Sequence, residues 1–232
     1  MTKRTLYWDI ETRSAGNLSQ CGSYIYAIDP TTKVICFSYA VADGDPQLWL
    51  PPDPVPLVFF EIVSNPHDWE LVAHNYGFER DILENILIPQ HGFPSIPLEI
   101  QHCTQRLALA NAYPAELGLL AQALNLPYRK DPAARKAMLQ VSRPKPQRKR
   151  KGTTIPIWDD DPVKLQLVYE RCKLDVITTR AVWVSPKPKP LSETERHHQL
   201  QDAVVNARGV CLDRNFASAA MELPSASASR ST

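Results

Sequence analysis

The chain has no Cys-x-x-Cys pair, no amino-terminal secretory pattern and no apolar run long enough to span a bilayer. Its five cysteines, Cys21, Cys36, Cys103, Cys172 and Cys211, are an odd number scattered along the sequence. A disulfide framework is therefore not expected, no membrane partner is expected, and a reducing cytoplasm is the expected compartment. Cysteine and histidine never gather at zinc-ligand spacing, so zinc is a poor candidate for any metal site. Charge imbalance is missing too: a net charge of +1 over 232 residues selects no partner by itself.

What is present is ordinary for a globular protein, with 44% apolar and 22% charged residues. The length suits one α/β domain with some extra at an end. Proline is plentiful, at 21, and clusters at 51–56, 144–146 and 186–190. Cationic charge is concentrated in "SRPKPQRKRKG", which places six Lys/Arg between Arg143 and Lys151 with no acid among them. That run has no hydrophobic period and is expected to be a loop.

Strand signals come first. "TLYWDIE" reads as a strand, "KVICFSYAVADG" as a second closed by a turn at Asp43–Gly44, and "PQLWLP" as a short third, together an antiparallel meander. "VPLVFFEIVSN" reads as a helix and "ELVAH" as a short buried strand. "NYGFERDILENILI" follows as a helix with Asn75 as N-cap and Phe78, Ile82 and Ile86 on one stripe. Short apolar and helical patterns alternate in "IQHCTQRLALANA" and "AELGLLAQALNL". Asp161 as cap and Pro162 at the first helical position start a long helix ending near Val184. "SPKPKP" is expected to be a stiff, extended linker. Ser192 and Glu195 form a capping box for a further helix that stops at Gly209. Strands followed by alternating strands and helices predict an α/β mixed sheet flanked by helices.

The first strand poses a problem. Successive strand side chains point to opposite faces, so Asp9 and Glu11 share a face with Tyr7, while Leu6, Trp8 and Ile10 take the other. Two like charges there repel, and burying either is costly, so a divalent cation or an Arg/Lys partner is required. Glu79 lies early in a helix and Asp175 lies mid-helix between Leu174 and Val176. Acids are rarely buried without a partner. Four converging carboxylates suit two hard divalent ions, Mg²⁺ or Mn²⁺.

"DIE", "HNYGFE" and "CKLDV", in this order, resemble the three exonuclease motifs of the DnaQ-like (DEDD) 3′–5′ exonucleases. The wider sequence is similar to the proofreading domain of phage and prophage family A DNA polymerases. It is carried by "DIETRSAGNLSQCGSYIYAIDPTTKVICFSYAV", "LLAQALNLPYRKDPAARKAMLQVSRP", "WDDDP" and "VVNARGVCLDRNFASAA", covering residues 4 to about 220. The resemblance implies a ribonuclease-H-like fold and a two-metal phosphodiester hydrolysis, with the ions roughly 4 Å apart. It implies Asp9, Glu11, Glu79 and Asp175 as catalytic metal ligands, and Thr12, His74, Asn75 and Phe78 near substrate. Arg148, Lys149, Arg150 and Lys151 would meet backbone phosphates. The implied partner is a single-stranded DNA 3′ end; a polymerase domain on a separate chain is the second partner left open.

The chain departs from that pattern twice. Glu79 stands where relatives commonly have Asp. Relatives also carry a Tyr four residues before the last acid, or a His five before it, to orient the attacking water; here those places hold Arg171 and Glu170. Arg171 lies on Asp175's face, about 40° away after four residues, but stays protonated and cannot act as a base. Arg171 and Tyr169 are the candidates for orienting water, and Tyr169, about 120° away on an ideal helix, reaches the site only if the helix is distorted. The expected organisation is an exonuclease domain over 1–185, a Pro-rich linker over 186–190, a helical polymerase lead-in over 191–220 and a disordered tail over 221–232. A silent single-stranded nucleic-acid-binding remnant and an exoribonuclease are the alternatives. A truncated polymerase and a free-standing exonuclease both fit the length.

Overall fold

The computed structural model describes residues 3–127, 131–145 and 155–228. The strand β1 (Arg4–Arg13) leads into the helix α1 (Leu18–Ile28), whose Asn17 cap accepts a hydrogen bond from the Ser19 amide. α1 bends at Gly22, where φ is 76°, a value that only glycine takes at little cost. β2 (Lys33–Val41) pairs antiparallel with β1, and β3 (Gln47–Trp49) pairs antiparallel with β2, as the meander predicts. After α2 (Leu57–Ser64), β4 (Trp69–Ala73) runs parallel to β1. α3 (Tyr76–Ile82) continues through a widened π turn, Leu83–Leu87, into α4 (Ile88–His91). β5 (Gln101–Cys103) then runs parallel to β4. The helices α5 (Thr104–Ala110), α6 (Leu117–Ala123), α7 (Pro132–Val141) and α8 (Pro162–Trp183) follow. Strand order is β3-β2-β1-β4-β5. This is the expected ribonuclease-H-like α/β fold, a mixed sheet with helices packed on it.

β1 is central because both its faces bury apolar groups. Leu6, Trp8 and Ile10 enter the larger core, where Phe37, Phe59 and Phe93 pack at centroid distances of 5.2–5.7 Å. Each such fully buried side chain contributes about 1.5–3 kcal/mol. Tyr7 faces the other way, onto Ala40, Val72 and Val176. α8 crosses this second face, and its Val168 and Cys172 meet Ile35 and Cys36. The ladder slips here: Glu11 pairs with Cys36 but Thr12 with Val34, so Ile35 is an extra residue in β2. Ile35 and Cys36 consequently both lie on the α8 side.

Two helices were not legible in the sequence. α1 exposes Leu18, Tyr24, Ile25 and Ile28, so it shows little apolar stripe. α7 buries mainly the small Ala134 and Ala137. Its start, Asp131 capping the Ala133 amide ahead of Pro132, repeats the Asp–Pro signature of α8. Asn75 precedes α3 as expected, yet its side chain makes no capping hydrogen bond; its backbone is left-handed, at φ 63°, a conformation asparagine tolerates.

Residues 1–191 form one compact unit and 192–232 another. The Pro-rich stretch 186–190 belongs to the first and is anchored there. Lys189 donates its amide to Asn111 Oδ1 at 2.9 Å and accepts from Asn111 Nδ2 at 3.0 Å, and Pro188 is buried. In the second unit, α9 (Glu193–Arg208) begins with the predicted Ser192–Glu195 capping box and stops at Gly209, with φ at 69°. α10 (Arg214–Ala228) runs through the first part of the segment expected to be a disordered tail. Residues 229–232 lie outside the described residues.

Candidate metal centre

Strand alternation turns Asp9 and Glu11 toward α8, on the face of Tyr7. α8 is set by its Asp161 cap, which accepts from the Val163 amide at 2.9 Å, and by Pro162 behind it. From there the helical repeat carries Val168, Cys172 and Val176 onto the sheet and Asp175 beside them. Cys172 donates its thiol to the Asp9 carbonyl at 3.5 Å, tying helix to strand at the level of the acids. Asp9, Glu11 and Asp175 each present an oxygen within 4.8 Å of the others. The acidic triad can hold a metal ion.

The protein itself places a cation at this cluster. Arg171 donates from Nε to Glu11 Oε1 at 3.0 Å, and its Nη2 lies 3.4 Å from Asp175 Oδ2. Burial works against the guanidinium's charge, but Glu11 and Asp175 outweigh it and hold the Arg171 pKa above its ordinary value. Asp9 is pushed well up by burial and then by the charges of Asp175 and Glu11. Glu11 rises to about 7, driven by burial and restrained by Arg171.

Glu79, from the first turn of α3, opens on the same cleft, a volume of about 280 Å³ that Asp9, Asp175 and Arg171 also line. It is 4% exposed, and its Oε2 has no hydrogen-bond partner. Burial, then the charge of Asp9, pushes its pKa well up. An orphaned buried carboxylate oxygen in a cleft that Asp9 and Asp175 also line is what a cation would satisfy. The donor set fits the implied metal: every candidate ligand is a carboxylate oxygen.

His74 and Asn75 line this cleft as well. Both ring nitrogens of His74 are engaged at 2.9 Å, Nε2 with the Ala115 carbonyl and Nδ1 with the Thr104 hydroxyl, and burial lowers its pKa to about 4. His74 is thereby a neutral brace between β4 and the start of α6. Thr12 and Phe78 fall in another cleft, of about 540 Å³, which Glu11 also lines. There the Thr12 hydroxyl bonds Tyr26 at 2.9 Å, and Met138, Leu139 and Arg143 of the α7 region form the far wall. Tyr169 points elsewhere, packing with Ile35, Cys36 and Val168. Arg148, Lys149, Arg150 and Lys151 lie outside the described residues. Sequence reasoning missed Gln105, Glu116 and Gly118, which also line the acidic cleft. A helix start at Glu116 was their only signal.

No protein-family profile matches the chain. A DNA polymerase of Bacillus phage SP02 is 29% identical over 224 residues, which are 90% of this chain and 32% of that protein. The chain is similar to a phage DNA polymerase. It spans about a third of that relative's length. Among the described residues, no helix is long and apolar enough to cross a membrane.

Proposed function

We propose that this chain is a metal-dependent 3′–5′ exonuclease that removes nucleotides from DNA 3′ ends, a proofreading-type domain. The observation that carries the reading is the convergence of Asp9 and Glu11 from β1 with Asp175 from α8, with buried Glu79 opening on the same cleft. The phage polymerase likeness supports a nucleic-acid substrate. Asp9, Glu11, Glu79 and Asp175 would hold Mg²⁺ or Mn²⁺. Bound there, a divalent ion lowers the pKa of water and neutralises charge developing on a phosphodiester. Glu11, an acid of the cluster, also lines the larger cleft with Thr12 and Phe78, so a 3′-terminal nucleotide could lie there. The test is hydrolysis of 3′-labelled single-stranded DNA with Mg²⁺, with Mn²⁺ and with EDTA, with an RNA strand of the same sequence as a control. Product should appear only with a divalent ion, and Asp9→Ala with Glu11→Ala should abolish it while circular dichroism stays unchanged. Activity persisting in that double variant would remove the assignment.

One observation favours a second reading, a silent domain that binds single strands without cutting them. Arg171 already engages Glu11 and Asp175, and it occupies the water-orienting place of the related sequences. This reading expects salt-sensitive binding and no metal-dependent product. Arg171→Tyr would then raise cleavage by about one to three orders of magnitude.

A further inference from the structure

Asp9, Glu11 and Asp175 are the acids whose ligand oxygens lie within 4.8 Å of one another, and Arg171 engages two of the three. Its Nε donates to Glu11 Oε1 at 3.0 Å, and its Nη2 lies 3.4 Å from Asp175 Oδ2. These two carboxylates are 13% and 10% exposed, so solvent screens the guanidinium's charge weakly. An arginine offers donors only, in a rigid fork, and cannot itself coordinate an ion. Each carboxylate lone pair that it holds is one that a metal cannot use. A divalent ion on the triad would also sit a few ångströms from a positive charge that does not titrate, where like charges repel strongly. Guanidinium and metal compete for the same carboxylates.

We infer that Arg171 is a built-in competitor of the metal: a divalent cation binds Asp9, Glu11 and Asp175 as the guanidinium releases Glu11 and Asp175. The inference rests on the metal centre of the proposed nuclease and adds a control on its ion affinity. The guanidinium has a way out. Arg171 keeps 24% of its side chain exposed and lines the acidic cleft, so rotation about its own side-chain bonds carries the charge away with α8 unmoved. The coupling is reciprocal: the factor by which the arginine weakens metal binding is the factor by which the metal weakens its hold on the two acids. Without an ion, the guanidinium compensates the buried carboxylates; with one, that compensation is redundant. Arg171 is thus a positioning residue that keeps two ligands in place until the ion arrives.

The test is the affinity of the full chain for Mn²⁺, read from loss of the free-ion electron paramagnetic resonance signal during titration. Arg171→Gln, which removes the charge at similar bulk, should bind Mn²⁺ at least about tenfold more tightly than wild type. Arg171→Lys, which keeps the charge, should stay close to wild type. Thermal melts of each variant check the fold. A second measurement uses wild type itself, labelled with ¹⁵N at the arginine Nε and titrated with Mg²⁺, the Arg171 signal being assigned by its absence from Arg171→Lys. Its Nε–H should exchange slowly with water in the metal-free protein and fast once Mg²⁺ saturates, and this decides the matter if Arg171→Gln does not fold. Equal or weaker Mn²⁺ binding by well-folded Arg171→Gln, or an Nε–H still protected at saturating Mg²⁺, overturns the inference. In both cases an ion still binds and the nuclease reading survives. Uptake of no ion by wild type and by Arg171→Gln would instead remove the metal centre, and with it both the inference and the nuclease reading.

Discussion

Arg171 Nε sits 3.0 Å from Glu11 Oε1, joining the middle of the long helix α8 to the carboxy-terminal half of the central strand β1. The opening puzzle of the sequence, two carboxylates on one face of a buried strand, therefore has an answer inside the chain. The positive partner is an arginine that engages both Glu11 and Asp175.

Removing that arginine should be costly in the metal-free protein. Arg171→Ala leaves Glu11, Asp9 and Asp175 facing each other with their common counter-charge gone. Loss of one member of a largely buried pair leaves its partner uncompensated. About 1–3 kcal/mol of destabilisation is expected at pH 8, read by urea denaturation. The loss should shrink at pH 5, where the acids take up protons. An equal loss at both pH values would show that Arg171 acts through packing alone.

Metal-free stability should fall as pH rises. Burial lifts Glu11 from 4.5 to about 7, and it lifts Asp9 and Glu79 in the same direction. The native state therefore keeps protons that the unfolded chain has already released. Stability from Glu11 is full below about 4.5 and is lost as pH climbs through about 7. At about 1.4 kcal/mol per unit, this one group accounts for up to roughly 3 kcal/mol. Melting curves between pH 5 and 8.5 in EDTA should show the decline, and saturating Mn²⁺ should flatten it. A melting temperature that rises over this range would contradict the placement of these acids.

The core makes a sharper contrast. Trp8→Ala empties a fully buried site on β1 against Phe37, at a cost of about 3–5 kcal/mol. Leu57→Ala, at a position 83% exposed, should change stability by less than about 0.5 kcal/mol. Guanidinium titration of both variants checks the difference.

The cationic run ending in Arg148, Lys149, Arg150 and Lys151 is expected to contribute affinity without chemistry. Changing all four to Ser should weaken binding evenly across DNA sequences and flatten the salt dependence by about 0.7 for each lost phosphate contact. Single-turnover cleavage at saturating DNA should stay nearly unchanged. A collapse of that saturated rate would mean that the run orders the metal site.

Strand alternation and helical period account for what was legible. Asp9 and Glu11 had to share the face of Tyr7, and Asp175 and Arg171 had to share a face of α8; the structure brings three of these four to one cluster and the fourth across it. Contacts between elements remote in sequence were not legible. Nothing local announces that Arg171 reaches Glu11, that both His74 nitrogens are taken by Thr104 and Ala115, or that Asn111 clamps Lys189. α7 stayed hidden because alanines line its buried face, and periodicity detects bulk more readily than burial.

Ile35, the unmatched residue of β2, neither carries charge nor lines the acidic cleft. Removing it would still leave Val34 and Cys36 on their own sides of the sheet, so the fold's inside-out pattern would survive. What would change is the local coil of the ribbon where Glu11 emerges. The aim of one carboxylate of the acidic cluster is thus stored in the count of residues along a neighbouring strand, in a hydrophobic position that a search for charged side chains would pass over. A one-residue deletion there would be conservative for the architecture and disruptive for the geometry of the acidic cluster.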